Sequence, residues 1–340
     1  MGNGDAIYTD SYSVSFEFDA TRYGYDSEIL SHSLDVSFER TVRVPEDGQD
    51  HWLPPTFGSF ELTATDSGPL RLPQGIKKRR GVCFPIYEHE ALWFDLSISG
   101  PFRLPVALKV AAGKVNAVSG KPWTEDPADE QDYLVAPHQP WLDGFNSGDD
   151  VIRQFVATEL GKSESVESHL TGGEVWGGIQ LLAIPMKPEY YRSIIETALQ
   201  EAESTRDLNQ NADPDLDISA EMDMCCSMIP PTSMGLGAGG KIRQTIEQDP
   251  YGVDQWDFTR AQRLFVSMIN ADQWERISGV RPHPSPITPA EYNGSGGHWY
   301  HFDGKDDIGP SPEFDGLPPL LGPEEEQALH IPAFLRRTPD

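Results

Sequence analysis

The strongest constraint on the fold is a series of short apolar segments between Gly81 and Ile184. The segments are VCFPIY, ALWFDLSI, PVALKVAAGKVNAV, DYLVAP, VIRQFVATEL, SVESHLT and GGIQLLAIP. Turn residues separate them at intervals of about ten residues, a spacing typical of β-sandwiches and barrels. Upstream, SYSVSFEF and SLDVSFERTVRV alternate apolar with polar residues, as strands with one solvated face do. The sequence therefore predicts a mainly β protein with an antiparallel, sandwich-like body.

Helical patterns appear only after Pro188. The stretch PEYYRSIIETALQEAE has its apolar residues at helical spacing, and Thr288-Pro289-Ala290-Glu291 has the spacing of a capping box. A helix from Asp272 is expected to end at Gly279. Another, capped by Asp257 or Thr259, is expected to carry one apolar face made of Ala261, Leu264, Phe265, Met268 and Ile269.

These patterns divide the chain into three regions of an α+β protein. Residues 1–185 are predicted to form the β-rich body. Residues 186–303 are predicted to form helices and long loops that pack on this body and share its core, because they are too loop-rich to stand alone. Residues 304–340 form a Pro-rich acidic tail, for which a wrapping arm or a disordered end is expected.

The charge of the chain limits its partners. Lys and Arg number 26 against 54 Asp and Glu, a net charge of −28. Such an excess repels nucleic-acid phosphates and anionic membrane surfaces, so both partners are disfavoured. No apolar run approaches the roughly 18–20 residues that a membrane-spanning helix needs. The basic run Lys77–Arg80 is predicted to be a solvated loop, with a targeting or partner signal as the alternative.

The expected location is the cytoplasm. MGNGDAIYTDSYS lacks the basic and apolar regions of a secretory signal. The three cysteines are Cys83, Cys225 and Cys226, an odd number with two adjacent, which does not indicate a disulfide framework.

Four residues in aromatic turns are the candidate binding residues. Trp141 and Asp143 lie in the turn QPWLDG between Pro140 and Gly144, and Trp123 and Trp176 lie in similar turns. Tryptophan on a turn offers amphipathic contact area to a sugar, a peptide or a neighbouring subunit. The alternative is that each of these tryptophans simply belongs to the core.

A metal site is the alternative functional prediction. His298 and His301 are three residues apart, and Asp303 follows two residues later. On a helix the two imidazoles would share a face and bind a metal together with a third ligand. The glycines before Trp299 disfavour a helix there, so an aromatic segment that docks the C-terminal tail is preferred.

Three other motifs are predicted to have structural roles. Asp249, Asp254 and Asp257 are predicted to shape turns rather than bind calcium, because their spacing does not match an EF-hand loop. The glycines of Gly235–Gly240 match a dinucleotide fingerprint, but no strand precedes them. A flexible or closely packed glycine loop is therefore expected, and no cofactor. Cys83 is predicted to be buried and inert rather than paired with His89.

Seven sequence motifs form a specific combination. They are ERTVRVPEDG, GVCFPIYEHEALWFDL, LKVAAGKVNAVSGKPW, QPWLDGFNSGDDVIRQFVA, GGIQLLAIPMKP, MGLGAGGKIRQTIEQDPYGVDQWD and RLFVSMINADQWERISG. On these motifs the chain resembles a bacterial and fungal family for which no activity is established. The likeness covers roughly residues 38 to 303. The resemblance implies no reaction and no cofactor.

The sequence favours a non-catalytic binding or self-assembly protein over an enzyme. No nucleophile elbow, Walker loop or HExxH motif is present. The expected partners are a second copy of the chain or a protein or carbohydrate ligand. The alternative is a metal-binding protein or enzyme that uses His298, His301 and Asp303.

Overall fold

The structure is a computed structural model that describes residues 5–19, 31–67, 70–174, 176–206, 233–297, 299–300, 307–314 and 316–322. Most of the regular structure is β, as predicted. The strands within these residues are β1 (Ala6–Thr9), β2 (Ser13–Phe18), β3 (His32–Thr41), β4 (Asp50–His51), β5 (Thr56–Ser59), β6 (Thr63–Ala64), β7 (Gly81–Ile86), β8 (Ala91–Ser99), β9 (Val106–Ala112), β10 (Val115–Asn116), β11 (Leu134–Ala136), β12 (Trp141–Leu142), β13 (Gly144–Gly148), β14 (Val151–Glu159), β15 (Ile179–Pro185), β16 (Met234–Arg243) and β17 (Gln262–Asn270).

Five α-helices connect or flank the strands of the described part. They are α1 (Gln74–Arg79), α2 (Val166–Thr171), α3 (Pro188–Arg206), α4 (Ala271–Ser278) and α5 (Pro289–Gly294). Short 3₁₀ turns lie at Val253–Gln255, Phe258–Arg260 and Pro312–Phe314. No helix in the ranges given above is long and apolar enough to cross a membrane.

The strands form two mixed sheets. The first has the order β1-β2-β3-β8-β14-β16-β4, with β5, β12 and β13 attached to β3, β8 and β14. The second has the order β10-β9-β15-β17-β7-β6, with β11 attached to β9. The described pairs are antiparallel except β16 with β4 and β17 with β7, which are parallel. The predicted antiparallel body is therefore confirmed, with one parallel pair in each sheet. The strand predicted at SVESHLT is wrong, because these residues form α2, whose first turn is capped by Ser165.

The two sheets enclose one hydrophobic core. On β2, Val14, Phe16 and Phe18 are fully buried, while the residues between them are not. This alternation turns the apolar face of the first sheet toward the second. The rings of Phe38 on β3 and Phe84 on β7 are 5.4 Å apart, which places side chains of both sheets in direct contact.

A second apolar cluster covers the outer face of the second sheet. Leu181 and Ala183 of β15 belong to the core between the sheets, and Leu182 belongs to the outer cluster. Tyr191 and Ile195 of α3 cover that outer face. The predicted apolar stripe of this helix is therefore confirmed, and it explains why β15 is apolar on both faces.

The helix predicted after Asp257 is wrong. Residues 262–270 instead form β17, which lies between β15 and β7. Leu264, Val266 and Met268 alternate into the core at strand spacing. The apolar residues of the whole segment also occur at helical spacing, so the pattern alone fits both structures. Pairing on both sides decides in favour of the strand. The region predicted to contain only helices and loops thus contributes a central strand to the second sheet.

The end of α4 and the start of α5 follow the predicted signals, whereas α4 begins after the cap Asn270 and not at Asp272. Gly279 ends α4 in the left-handed conformation, with φ of 79°. The side chain of Thr288 accepts a hydrogen bond from the amide of Glu291, whose side chain accepts one from the amide of Thr288. The backbone N–H groups of Thr288 and Glu291, which have no partner within the helix, are both hydrogen-bonded, as a capping box requires.

The glycine loop predicted at Gly235–Gly240 is a strand. These residues lie in β16, between β14 and β4, and are buried. A β-carbon at Gly240 would lie 2.6 Å from the carbonyl oxygen of Pro45, and one at Gly237 would lie 2.6 Å from Leu320. The glycines therefore allow neighbouring chain to approach the sheet closely.

We expect Gly240→Ala to lower the free energy of unfolding by about 1–3 kcal/mol, because overpacking against backbone displaces the chain. Chemical denaturation followed by circular dichroism measures the change. Gly75→Ala is the control, since a β-carbon there meets nothing within 4 Å and the site lies in α1. Equal stability of Gly240→Ala and the parent protein would contradict the close packing.

Candidate functional site

The turn that contains Trp141 is a short strand laid on the first sheet. Trp141 and Leu142 form β12, with Trp141 opposite Asp95 of β8 and Leu142 opposite Phe94. Because side chains alternate across a strand, Leu142 enters the core. Trp141 stays half-buried on the other face, beside Trp93, which shares the face of Asp95. The strand pairing thus brings two tryptophans together.

A cavity of about 270 Å³ opens beside these tryptophans. Its walls include Trp93, Trp141, Pro54, Pro55 and the exposed Tyr300. Leu53 and Tyr300 exchange two backbone hydrogen bonds of 2.9 and 2.8 Å, which join the two sides of the entrance. Among the described residues that line the cavity there is neither lysine nor arginine. The site is therefore aromatic and small, and it offers an anion no charged partner.

The carboxyl group of Asp143 lies in the wall of the same cavity. Asp143 is 3% exposed, and burial raises its pKa from 3.8 to about 7. A hydrogen bond of 2.9 Å from Nε2 of Gln244 to Oδ2 lowers the pKa only in part. The backbone amide of Asp143 also donates to Oε1 of Gln244, at 3.0 Å. A buried carboxyl that titrates near neutral pH inside a cavity is a mark of a functional site.

Trp93 adds a polar group to the wall. Its indole Nε1 is buried and has no hydrogen-bond partner within the residues that the structure describes. An indole N–H is a donor only, and burying it without a partner is costly. Trp93 and Asp143 thus bring two buried polar groups close to the cavity.

The other two predicted binding residues lie elsewhere. Trp123 is half-buried against the outer cluster of the second sheet. Trp176 lies under Arg79 and Lys114, whose charged groups are 4.9 and 4.3 Å from its ring centre. Neither tryptophan lines the Trp141 cavity. The solvated loop predicted at Lys77–Arg80 is wrong, because these residues form the last turn and the C-cap of α1, and Arg79 lies over Trp176.

The predicted metal residues His298, His301 and Asp303 lie outside the described residues, so this alternative stays a prediction.

Two of the aspartates around residue 250 have structural partners. Asp249 accepts hydrogen bonds from Tyr133 Oη at 2.6 Å and Trp256 Nε1 at 2.8 Å.

Asp257 caps a 3₁₀ turn by accepting a hydrogen bond from the amide of Thr259, as the turn interpretation requires.

Cys83 is fully buried, and burial raises the pKa of its thiol to about 12. Its sulfur contacts the carbonyl oxygen of Thr63 at 3.5 Å. The thiol is therefore protonated and inert at neutral pH, as predicted.

No protein-family model matches the chain, and no curated protein and no solved structure is similar to it. The resemblance carried by the seven motifs therefore stays a prediction.

A larger cavity was not anticipated from the sequence. It has a volume of about 470 Å³ and is mainly apolar, with Val44, Pro45 and Ile287 in its walls. Glu88 and His89, from the turn between β7 and β8, line it as well. The sequence feature that points to this cavity is Glu88-His89-Glu90, two glutamates around a histidine that the sequence pattern places in a turn.

Proposed function

We propose that the protein is a non-catalytic binding protein whose ligand is a neutral carbohydrate held between Trp93 and Trp141. The observation that carries the proposal is the combination of two tryptophans with the buried carboxyl of Asp143 in one cavity. Indole faces pack against the C–H faces of sugar rings, and a few placed polar groups fix orientation. As part of the proposal we place the protein in the cytoplasm, where a free thiol such as Cys83 persists.

The electrostatics of the cavity favour a neutral ligand. A phosphorylated or carboxylated ligand would meet no cation among the wall residues that the structure describes, and it would approach a chain of net charge −28. A hydroxyl group, in contrast, both donates and accepts hydrogen bonds. It therefore suits Asp143 in either protonation state and also accepts from Trp93 Nε1.

We expect Trp141→Ala to weaken sugar binding at least tenfold, which is about 1.4 kcal/mol. The purified full chain is tested by isothermal titration calorimetry against neutral gluco-, manno- and xylo-tetraoses. Trp141→Phe, which keeps an aromatic face, should lose less affinity and guards against a folding defect. Trp123→Ala is the matched control and should bind as the parent does. Equal losses in the two alanine variants, or no binding of any tetraose, would contradict the proposal.

Self-association is the second candidate function. Trp52, Phe57 and Tyr300 are large aromatic residues with 40, 37 and 57% of their surface exposed. Tyr300 lies at the entrance of the cavity, and residues 52 and 57 flank the segment that lines it. Exposed aromatic side chains of this kind mark interfaces. Light scattering on the parent and on Phe57→Ser separates the candidates, because a binding protein stays monomeric while an assembling one changes mass with this substitution.

A further inference from the structure

A second group of polar side chains lies apart from the Trp141 cavity, where the turn after β7 approaches the end of β14. Glu88, His89 and Glu164 each place one possible ligand atom so that all three atoms lie within 4.8 Å of one another. All three residues are partly buried. One imidazole nitrogen and two carboxylate oxygens form a donor set that transition metals accept.

The backbone around these residues is held in place. His89 has a positive φ of 63°, and its amide donates to the carbonyl oxygen of Ala157 at 2.8 Å. The hydroxyl of Thr158 donates to Oε2 of Glu164 at 2.7 Å. Both Ala157 and Thr158 belong to β14, so one rigid strand positions the turn and the opposing carboxylate. Ligands held by a rigid element lose little freedom when an ion binds.

Arg43 lines the same cavity as Glu88 and His89. Its charge repels a cation, so the carboxylates of Glu88 and Glu164 must outweigh it.

A cation already occupies part of this group. The ammonium of Lys162 contacts the carboxylate of Glu88 and lies 3.5 Å from Oε2 of Glu159. Two carboxylates thus already hold a positive charge beside the group. The lysine side chain is 40% exposed and can leave into solvent when a stronger cation arrives.

We propose that Glu88, His89 and Glu164 bind a zinc ion at the wall of the 470 Å³ cavity. Zinc accepts mixed nitrogen and oxygen ligands, whereas calcium and magnesium prefer oxygen alone. Glu88 and His89 also line the cavity, so water or a ligand in the cavity is the expected source of the fourth zinc ligand. This site is independent of the sugar cavity, so Trp141→Ala is expected to leave zinc binding unchanged.

Zinc binding is measured on the full chain after treatment with EDTA and dialysis, by competition with a chromophoric zinc chelator at pH 7.5. We expect one high-affinity site per chain. His89→Ala and Glu164→Gln are each expected to weaken zinc binding at least tenfold. His138→Ala is the matched control, because His138 is exposed and contacts Tyr251 instead.

Lys162→Met provides an independent test that a folding defect does not imitate. Removing the competing ammonium is expected to tighten zinc binding several-fold, whereas a damaged fold weakens it. Zinc binding that is unchanged by His89→Ala, or weakened by Lys162→Met, would overturn the proposal, as would the absence of binding at micromolar zinc. Thermal melting of every variant without zinc confirms that each is folded.

Discussion

We expect Lys109→Met to lower the free energy of unfolding by about 3–5 kcal/mol, the typical cost of breaking a buried ion pair. Lys109 lies in β9 and is fully buried. Its ammonium donates to Oδ2 of Asp132 at 2.9 Å and to the carbonyl oxygen of Asp126 at 2.6 Å. Without it, the 5%-exposed carboxyl of Asp132 loses its counter-charge. Urea denaturation followed by tryptophan fluorescence measures the loss.

Two further variants test the origin of this effect. Burial raises the pKa of Asp132, and the hydrogen bond and charge of Lys109 oppose that rise. Adding Asp132→Asn to Lys109→Met removes the unpaired carboxylate and should therefore recover part of the loss. Lys121→Met changes an exposed lysine, paired with Glu130, in the loop after β10 and should have little effect. A similar loss for Lys121→Met, or no recovery in the double variant, would contradict the buried pair as the cause.

We expect Asp143→Asn to stabilise the protein, with a gain in the free energy of unfolding that grows with pH. Burial raises the pKa of Asp143 from 3.8 to about 7, so the folded state holds its proton more tightly than the unfolded state does. The stability that this group contributes is complete below pH 3.8 and is lost as the pH rises to 7. An amide does not titrate and keeps the acceptor for Gln244. The expected gain is about 2 kcal/mol at pH 5.5 and about 4 kcal/mol at pH 8.5.

Urea denaturation at the two pH values measures this gain. Asp254→Asn is the control, because Asp254 is exposed and should show no such pH dependence. A gain for Asp143→Asn that is absent or independent of pH would contradict the raised pKa. If the same variant also binds the tetraoses more weakly, the carboxyl is retained for binding at a cost in stability.

The sequence predicts an element well where its apolar period fits only one structure. The strict alternation of Val14, Phe16 and Phe18 leaves only a strand, and the capping box at Thr288 marks a helix start. The stretch LFVSMI in β17 fits both periods, and only its pairing with β15 and β7 decides. The glycines of β16 carry no side chains, so they show no period at all.

The candidate site is predictable only in part. Trp141 and Asp143 are visible as an aromatic turn, because proline and glycine bound it. Trp93 lies 48 positions earlier in β8 and joins the cavity through the pairing of Trp141 with Asp95. Tyr300 joins through its backbone pairing with Leu53. Such contacts between distant segments leave no local signal, and the same holds for the approach of Glu164 to His89.

The late position of β16 and β17 in the chain delays folding during synthesis. Each strand lies inside a sheet: β16 between β14 and β4, and β17 between β15 and β7. Until a ribosome has translated residue 270, those four neighbours present unpaired edges, and exposed edges recruit other chains. Folding of the two sheets is therefore expected to be slow, as for other topologies rich in distant contacts. The nascent chain is expected to need protection from aggregation until β17, the last strand of the described part, emerges.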